Sequence, residues 1–414
     1  MLVTRLFLIT VLTFFLANIY SSQIRAVMDI WKWGAFLLLA FVLVTGVVKR
    51  TEFPSIIPLH VHLCFAFIFI EGSIVTISAA GIGSGVAKLA GWGFLLYVAY
   101  NLYKHFVTDT DRNNYYRIML LVSKVIIYST MVFYIFNINL GRFSEGSGRF
   151  TGWVDNPNTL AMLCLPLFPF LLLYSIKNKS ISIGSPRVLL AMLAFIIMLT
   201  GARSVLAASV VATIVIVSYQ KGGKDRLVLL AILGALAVTF VGFEIQSFVE
   251  NFSTFQRSGD LALSGREKVW ALAIMLIDQN PYFGYGFDSE GALIKQYHEL
   301  LLGHQGKVIH NSYLSYVISI GLIGAIPLVW IILYSLYSVF KIRSSSHNES
   351  EFNFKLVSGA LVMASFIHAI FETWLFSPGN HATLLFWVSF FCLNSRKSGI
   401  IENTSKRNKL NTGQ

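Results

Sequence analysis

The stretch LIGAIPLVWIILYSLYSVF, Leu322 to Phe340, contains no charged side chain. Wound into a helix at 1.5 Å per residue it is about 29 Å long, which is the thickness of a bilayer's hydrocarbon layer. Blocks of the same kind recur along the whole chain. Of its 414 residues 55% are hydrophobic and 13% charged, and mean hydropathy is +0.67. That is about half the charge of an ordinary soluble domain, and the apolar residues come in long blocks instead of amphipathic stripes.

Twelve apolar blocks can be drawn: Leu6–Tyr20, Trp33–Val48, Ile56–Ser78, Ala87–Tyr103, Ile118–Leu140, Thr159–Ile176, Val188–Leu199, Val205–Tyr219, Leu227–Phe243, Leu322–Phe340, Phe354–Phe376 and Ala382–Leu393. The expected fold class is an all-α integral membrane protein of about 12 transmembrane helices, with one long outside loop containing short helices. Residues 1–245 hold the first nine spans, 246–310 the loop, 311–394 the last three spans, and 395–414 a polar, basic tail expected to be disordered. Arg5 followed by Leu6–Leu16 resembles a signal peptide, but no small-residue cleavage pattern follows, so an uncleaved first span is expected.

The net charge of +12 does not point to nucleic acid, because most of the Lys and Arg residues fall in short loops on one side. Lys49-Arg50, Lys104 with Arg112 and Arg117, Lys177 with Arg187, Lys221 with Arg226, Lys341 with Lys355, and the tail alternate to that side. The positive-inside rule makes it cytoplasmic, with both termini, and turns the loop of 246–310 to the periplasm or cell exterior. Cys64, Cys164 and Cys392 lie far apart inside apolar blocks, which suggests neither disulfides nor a cysteine metal site.

Chemistry is therefore sought in the outside loops. Ser264-x-x-Glu267 is a capping-box pattern that opens a helix running to about Gln279, with Val269, Trp270, Ala273, Ile274 and Ile277 on one face. Arg266 in its first turn opposes the helix dipole unless an anion binds there, and Gly265 beside it permits close approach. A second helix is expected over Ser289–Leu302. Arg203 sits in the tight turn Thr200-Gly-Ala-Arg-Ser204 between two spans, where an ionised group is a functional candidate or else snorkels to the surface. His310, followed by Asn311 at the return to the bilayer, suits general-base work, though a histidine at a helix start is commonly a cap or interface residue. His298, His304 and His310 recur every six residues, which is no metal-ligand spacing. Glu372, near a span, is read as a wall of the outside cavity. Trp153, Tyr282, Phe283 and Tyr285 suit either sugar packing or an interfacial belt.

Taken together and in order, Gly201-Ala-Arg-Ser204, Ser264-Gly-Arg-Glu267, Pro281-Tyr-Phe-Gly-Tyr-Gly286, His310-Asn-Ser-Tyr-Leu314 and Gly321-Leu-Ile-Gly324 resemble the O-antigen ligase and O-antigen polymerase superfamily. Gly152-Trp153 with Asn156-Pro-Asn158 fits the same pattern. The resemblance covers about 141–340. It implies a C-type (GT-C) membrane glycosyltransferase of the bacterial inner membrane that needs no metal or other cofactor and works on the periplasmic face. Its donor would be a glycan on undecaprenyl diphosphate. Its acceptor would be a lipid A-core sugar in a ligase, or another lipid-linked glycan in a polymerase of O-antigen, capsule or exopolysaccharide. Carried over residue by residue, the family's loop arginines fall on Arg203 and Arg266 and its loop histidine on His310. Asn311, Gly265, Lys268, Trp153, Asn156, Tyr285 and Glu372 are candidate substrate-contacting neighbours, with the roles of Glu372, Asp155 and Lys268 not fixed by the resemblance. A flippase or transporter is the competing class; it predicts buried charges at mid-bilayer in two related halves, and no repeat is visible.

Overall fold

The computed structural model describes residues 2–45, 55–78, 82–106, 108–140, 149–220, 266–297, 308–342 and 348–397. The expected span Leu227–Phe243, the start of the outside loop through Gly265, and most of the tail lie outside these residues. The described chain is helical: α1 (Leu2–Leu16), α2 (Ser22–Thr45), α3 (Leu59–Ser78), α4 (Ile82–His105), α5 (Asp109–Ile135), α6 (Pro157–Cys164), α7 (Phe168–Lys177), α8 (Pro186–Thr200), α9 (Arg203–Gln220), α10 (Arg266–Gln279), α11 (Glu290–Gln296), α12 (Ser312–Phe340), α13 (Glu349–His368) and α14 (Thr383–Asn394). A two-residue ladder pairs β1 (Ser55–Ile56) with β2 (Arg396–Lys397).

Length and composition qualify four described helices to cross a bilayer: α2, α3, α5 and α12. A fifth is the pair α6 and α7, bent by 42° where Pro166 and Pro169 remove backbone donors. The shorter apolar helices α1, α8, α9 and α14, of 12 to 18 residues, reach only about 18–27 Å.

Helix ends follow local chemistry. Thr108 caps α5 by accepting from the Asp111 amide, and Asp109 and Asp111 complement the dipole. Asn156 caps α6, whose first residue is Pro157. Gly201, at φ 59°, closes α8 in the left-handed region.

The expected span at Leu322 is part of a longer helix that begins at Ser312 and breaks at Gly321, where φ is 65° and ψ −173°. The break frees backbone groups, and the segment Pro281–Gly286 satisfies them. Tyr285 and Gly286 donate to the carbonyls of Ile318 and Ser319 at 2.7 and 2.8 Å, while Leu322 and Ile323 donate to those of Pro281 and Tyr282 at 2.8 and 3.2 Å. Only glycine fits the crossing: a Cβ on Gly321 would lie 2.1 Å from the Tyr282 carbonyl oxygen, and one on Gly284 2.5 Å from that of Ile318. The motif Pro-Tyr-Phe-Gly-Tyr-Gly is thus in large part a splint for a broken helix.

The core centres on Trp92, whose indole ring meets Phe65, Phe69, Phe287, Phe376 and Trp387, and on α13, buried along most of its length. A smaller cluster joins α10 and α11 to α12 through Val269, Leu272, Ala273, Leu276, Ile294 and Ile318. The buried face of α10 is therefore offset from the one expected, and Ile274 is exposed.

Cross-contacts sort the connections into two ends. At one end the Tyr20 amide bonds the Trp153 carbonyl, that of Phe150 bonds Leu199, and that of Ser312 bonds Ala369. At the other, Lys177 pairs with Glu349, Arg112 bonds Asn348, and β1 meets β2. The basic loop residues Lys104, Arg112, Lys177, Arg187, Lys341 and Lys355 belong to this second end; Arg203, Asn156, His310 and Glu372 belong to the first.

Candidate active site

His310 stands one residue before the cap of α12. Its backbone is left-handed, at φ 54°, a conformation that a non-glycine residue holds only when its surroundings enforce it. They do so on both sides. Following it, the Asn311 side chain accepts from the amides of Tyr313 and Leu314 at 2.9 and 3.0 Å, and the Asn311 amide donates to Thr373 Oγ1 at 3.0 Å. Ser312 Oγ donates to the Glu372 carbonyl at 2.6 Å and accepts from the amides of Trp374 and Leu375. Preceding it, the Ile309 amide donates to Glu290 Oε1, whose second oxygen accepts from the Ser315 hydroxyl. These bonds staple 309–312 to 372–375 and to the start of α11.

The staple brings His310 Nδ1 within 3.1 Å of Glu372 Oε2. An ionised carboxylate can only accept, so in the neutral ring that pairs with it Nδ1 is the donor and Nε2 holds the lone pair. The histidine side chain keeps 33% exposure and the carboxylate 17%; the ring is reachable by substrate while its partner is largely shielded.

From Glu372 the polar contacts continue into the segment 149–158 that leads into α6. Asn158 Nδ2 approaches Glu372 Oε1 at 3.5 Å, and Asn158 Oδ1 accepts from Arg149 Nη2 at 2.6 Å. Arg149 Nε donates to the Thr200 carbonyl at 2.6 Å. A Cβ on Gly201 would lie 3.4 Å from Arg149 Nε, so the α8–α9 turn is seated on this arginine. Arg203, two residues on, begins α9 and is exposed.

Helix α10 joins the same region from the other side. Trp270 Nε1, about one turn after Arg266, donates to the Ile309 carbonyl at 2.9 Å, directly before His310. The helix starts at Arg266 as expected; Gly265, Ser264 and the side chains of Arg266 and Lys268 lie outside the described residues.

The remaining expectations divide. Asn156 and Asn311 are helix caps and Asn311 is buried. Trp153 is a core residue, only 4% exposed, with its indole N–H on Thr130 Oγ1, which corrects both readings, sugar packing and interfacial belt. Asp155 pairs with Arg25 at 3.4 Å. Tyr285 donates its hydroxyl to the Leu276 carbonyl; burial, with Tyr297 beside it, holds the phenol above its usual range, so it stays a neutral donor. Tyr282 and Phe283 are exposed. Sequence reasoning missed Arg149, Asn158 and Glu290 as site-forming residues. Arg149 carried one faint signal, an arginine beside the Asn-Pro-Asn turn. Among the described residues no three His, Cys, Asp or Glu side chains gather to hold a metal ion.

No curated protein matches the chain. Residues 188–329 match a family model described as O-antigen ligase. The match takes in α8, α9, α10, α11 and the first part of α12, and with them Arg203, Arg266 and His310, whereas Arg149, Asn158 and Glu372 lie outside it. Through that segment the chain is similar to the O-antigen ligase family.

Proposed function

We propose that this protein is a membrane glycosyltransferase that moves a glycan from undecaprenyl diphosphate to a sugar hydroxyl of lipid A-core, with inversion and without a metal. The observation that carries the reading is the His310–Glu372 contact of 3.1 Å, set at the same end of the bundle as the Arg203 turn and the approach of α10. In the proposed step the acceptor hydroxyl oxygen attacks the anomeric carbon as the bond from that carbon to the diphosphate oxygen breaks. The hydroxyl proton passes to His310 Nε2, and the Glu372 carboxylate stabilises the imidazolium that forms. The departing diphosphate takes the bonding electrons, and the forks of Arg203 and Arg266 meet its growing charge.

The bundle's two ends support the orientation. Basic loops crowd the end away from His310, and by the positive-inside rule that end is cytoplasmic and the site periplasmic in the inner membrane. The twelve-span topology includes α4 and α13, 24 and 20 residues long, and the shorter helices packed between the longer ones.

Deleting the gene in a strain that makes O-antigen tests the reading. Loss of all long chains from the core while lipid-linked polymer still accumulates is the ligase result; core bearing one repeat would mean a polymerase. With purified protein and a labelled lipid-linked glycan, His310→Ala is expected to abolish transfer and retain donor binding. Wild-type transfer by His310→Ala would remove the general base from the scheme.

A further inference from the structure

Beside the segments that hold His310 and Glu372 lies a concavity to which the transfer step above assigns no occupant. Its volume is about 470 Å³, within the range of small-molecule sites. Ser312, Ser315 and Ser319 line it from one face of α12, with Thr373, Trp374 and Phe376 opposite. From Ser312 to Ser319 the wall descends about 10 Å along the helix.

The lining is specific in its chemistry. Ser319 donates to the Ser315 carbonyl, which leaves its oxygen able to accept. Thr373 Oγ1 takes the Asn311 amide and has its own proton to give. Tyr316 and Phe376 are stacked at 4.4 Å. At one side Lys88 and Asp288 form an ion pair at 3.2 Å, and Asp288 is held left-handed at φ 64°. Glu290 is buried in the wall. One lysine against two carboxylates leaves the lining with no excess positive charge, which disfavours a diphosphate. The Ser319 and Thr373 hydroxyls, with carboxylates and aromatic rings beside them, suit the alternating polar edges and apolar faces of a sugar.

From this lining we infer that the cavity binds the acceptor's sugar. The inference rests on the glycosyl-transfer reading, because the walls include close chain neighbours of the base and its carboxylate. Ser312 stands two residues after His310, and Thr373 follows Glu372. A neutral or amino sugar seated there lies against Ser312 and Thr373, two residues after His310 and one after Glu372, and Arg203 is not among the residues that line the cavity.

Two variants test it in the purified full-length protein, using radiolabelled delipidated core oligosaccharide as the probe. Ser319→Leu replaces a hydroxyl with bulk in the wall. Gly291→Phe adds bulk where a Cβ meets no atom within 4 Å. Each is expected to weaken oligosaccharide binding and raise the acceptor KM by about tenfold or more, with donor KM within about twofold of wild type. His310→Ala, which leaves the cavity intact, is expected to bind the oligosaccharide as wild type does. An unchanged acceptor KM in both variants, or a rise in donor KM instead, overturns the acceptor assignment while wild-type transfer keeps the enzyme reading intact. Wild-type protein that transfers no glycan at all overturns the enzyme reading itself.

Discussion

Replacing Glu372 by glutamine removes one charge and almost no volume. The carboxylate lies 3.1 Å from His310 Nδ1, and two unit charges at that separation interact by about 5 kcal/mol at an effective dielectric of ~20. The histidine side chain is 33% exposed, so solvent screens part of this, and the imidazolium charge is only partly developed in the transition state. About 3 kcal/mol remains, which is roughly a hundredfold in rate. Steady-state transfer by Glu372→Gln is therefore expected to show kcat lowered about a hundredfold, with donor KM within about twofold of wild type. The Ser312 bond to the Glu372 carbonyl is untouched, so the thermal midpoint in detergent should hold. Glu372→Asp, which keeps the charge but withdraws it by one methylene, should fall between. A Glu372→Gln enzyme turning over within about threefold of wild type would refute the reasoning that the carboxylate stabilises the protonated base.

Three further outcomes follow from other contacts. Gly321→Ala places a methyl 2.1 Å from the Tyr282 carbonyl oxygen at a φ of 65° and should destabilise the protein by about 3 kcal/mol or more; an unchanged unfolding midpoint would mean α12 does not break there. Glu290→Ala strips the acceptor from the Ile309 amide and the Ser315 hydroxyl, costing about 2–4 kcal/mol and lowering kcat by loosening His310. Glu290→Gln, which keeps an acceptor oxygen, should recover most of both in the same melting and turnover assays. Arg203→Ala, at an exposed position, should leave stability within about 0.5 kcal/mol and raise donor KM about tenfold. Arg203→Lys should restore little of it, because an ammonium lacks the guanidinium fork; full rescue by lysine would remove the fork from the argument.

The sequence alone determined the elements whose signal is local. Apolar blocks placed α1 to α9 and α12 to α14, since burial in hydrocarbon acts on each helix separately, and the approach to Pro281 stopped α10 at Gln279. The family motifs also singled out His310, Arg203 and Arg266 as candidates without any knowledge of their neighbours. Tertiary structure decided what those motifs do. The aromatics of Pro281–Gly286 read as sugar-packing or interfacial-belt residues until the segment is seen crossing the break at Gly321, because a helix that lacks its own hydrogen bonds must find them elsewhere. Trp153 carries the same two readings and is a core residue. Arg149 and Glu290 lie in no motif and Asn158 was read only as part of the Asn-Pro-Asn turn, yet they join the candidate site through contacts spanning 51 residues from Arg149 to Thr200, 214 from Asn158 to Glu372 and 25 from Glu290 to Ser315. Patterning reports how a residue partitions between lipid and water; which carboxylate meets which imidazole depends on how helices far apart in the chain are packed.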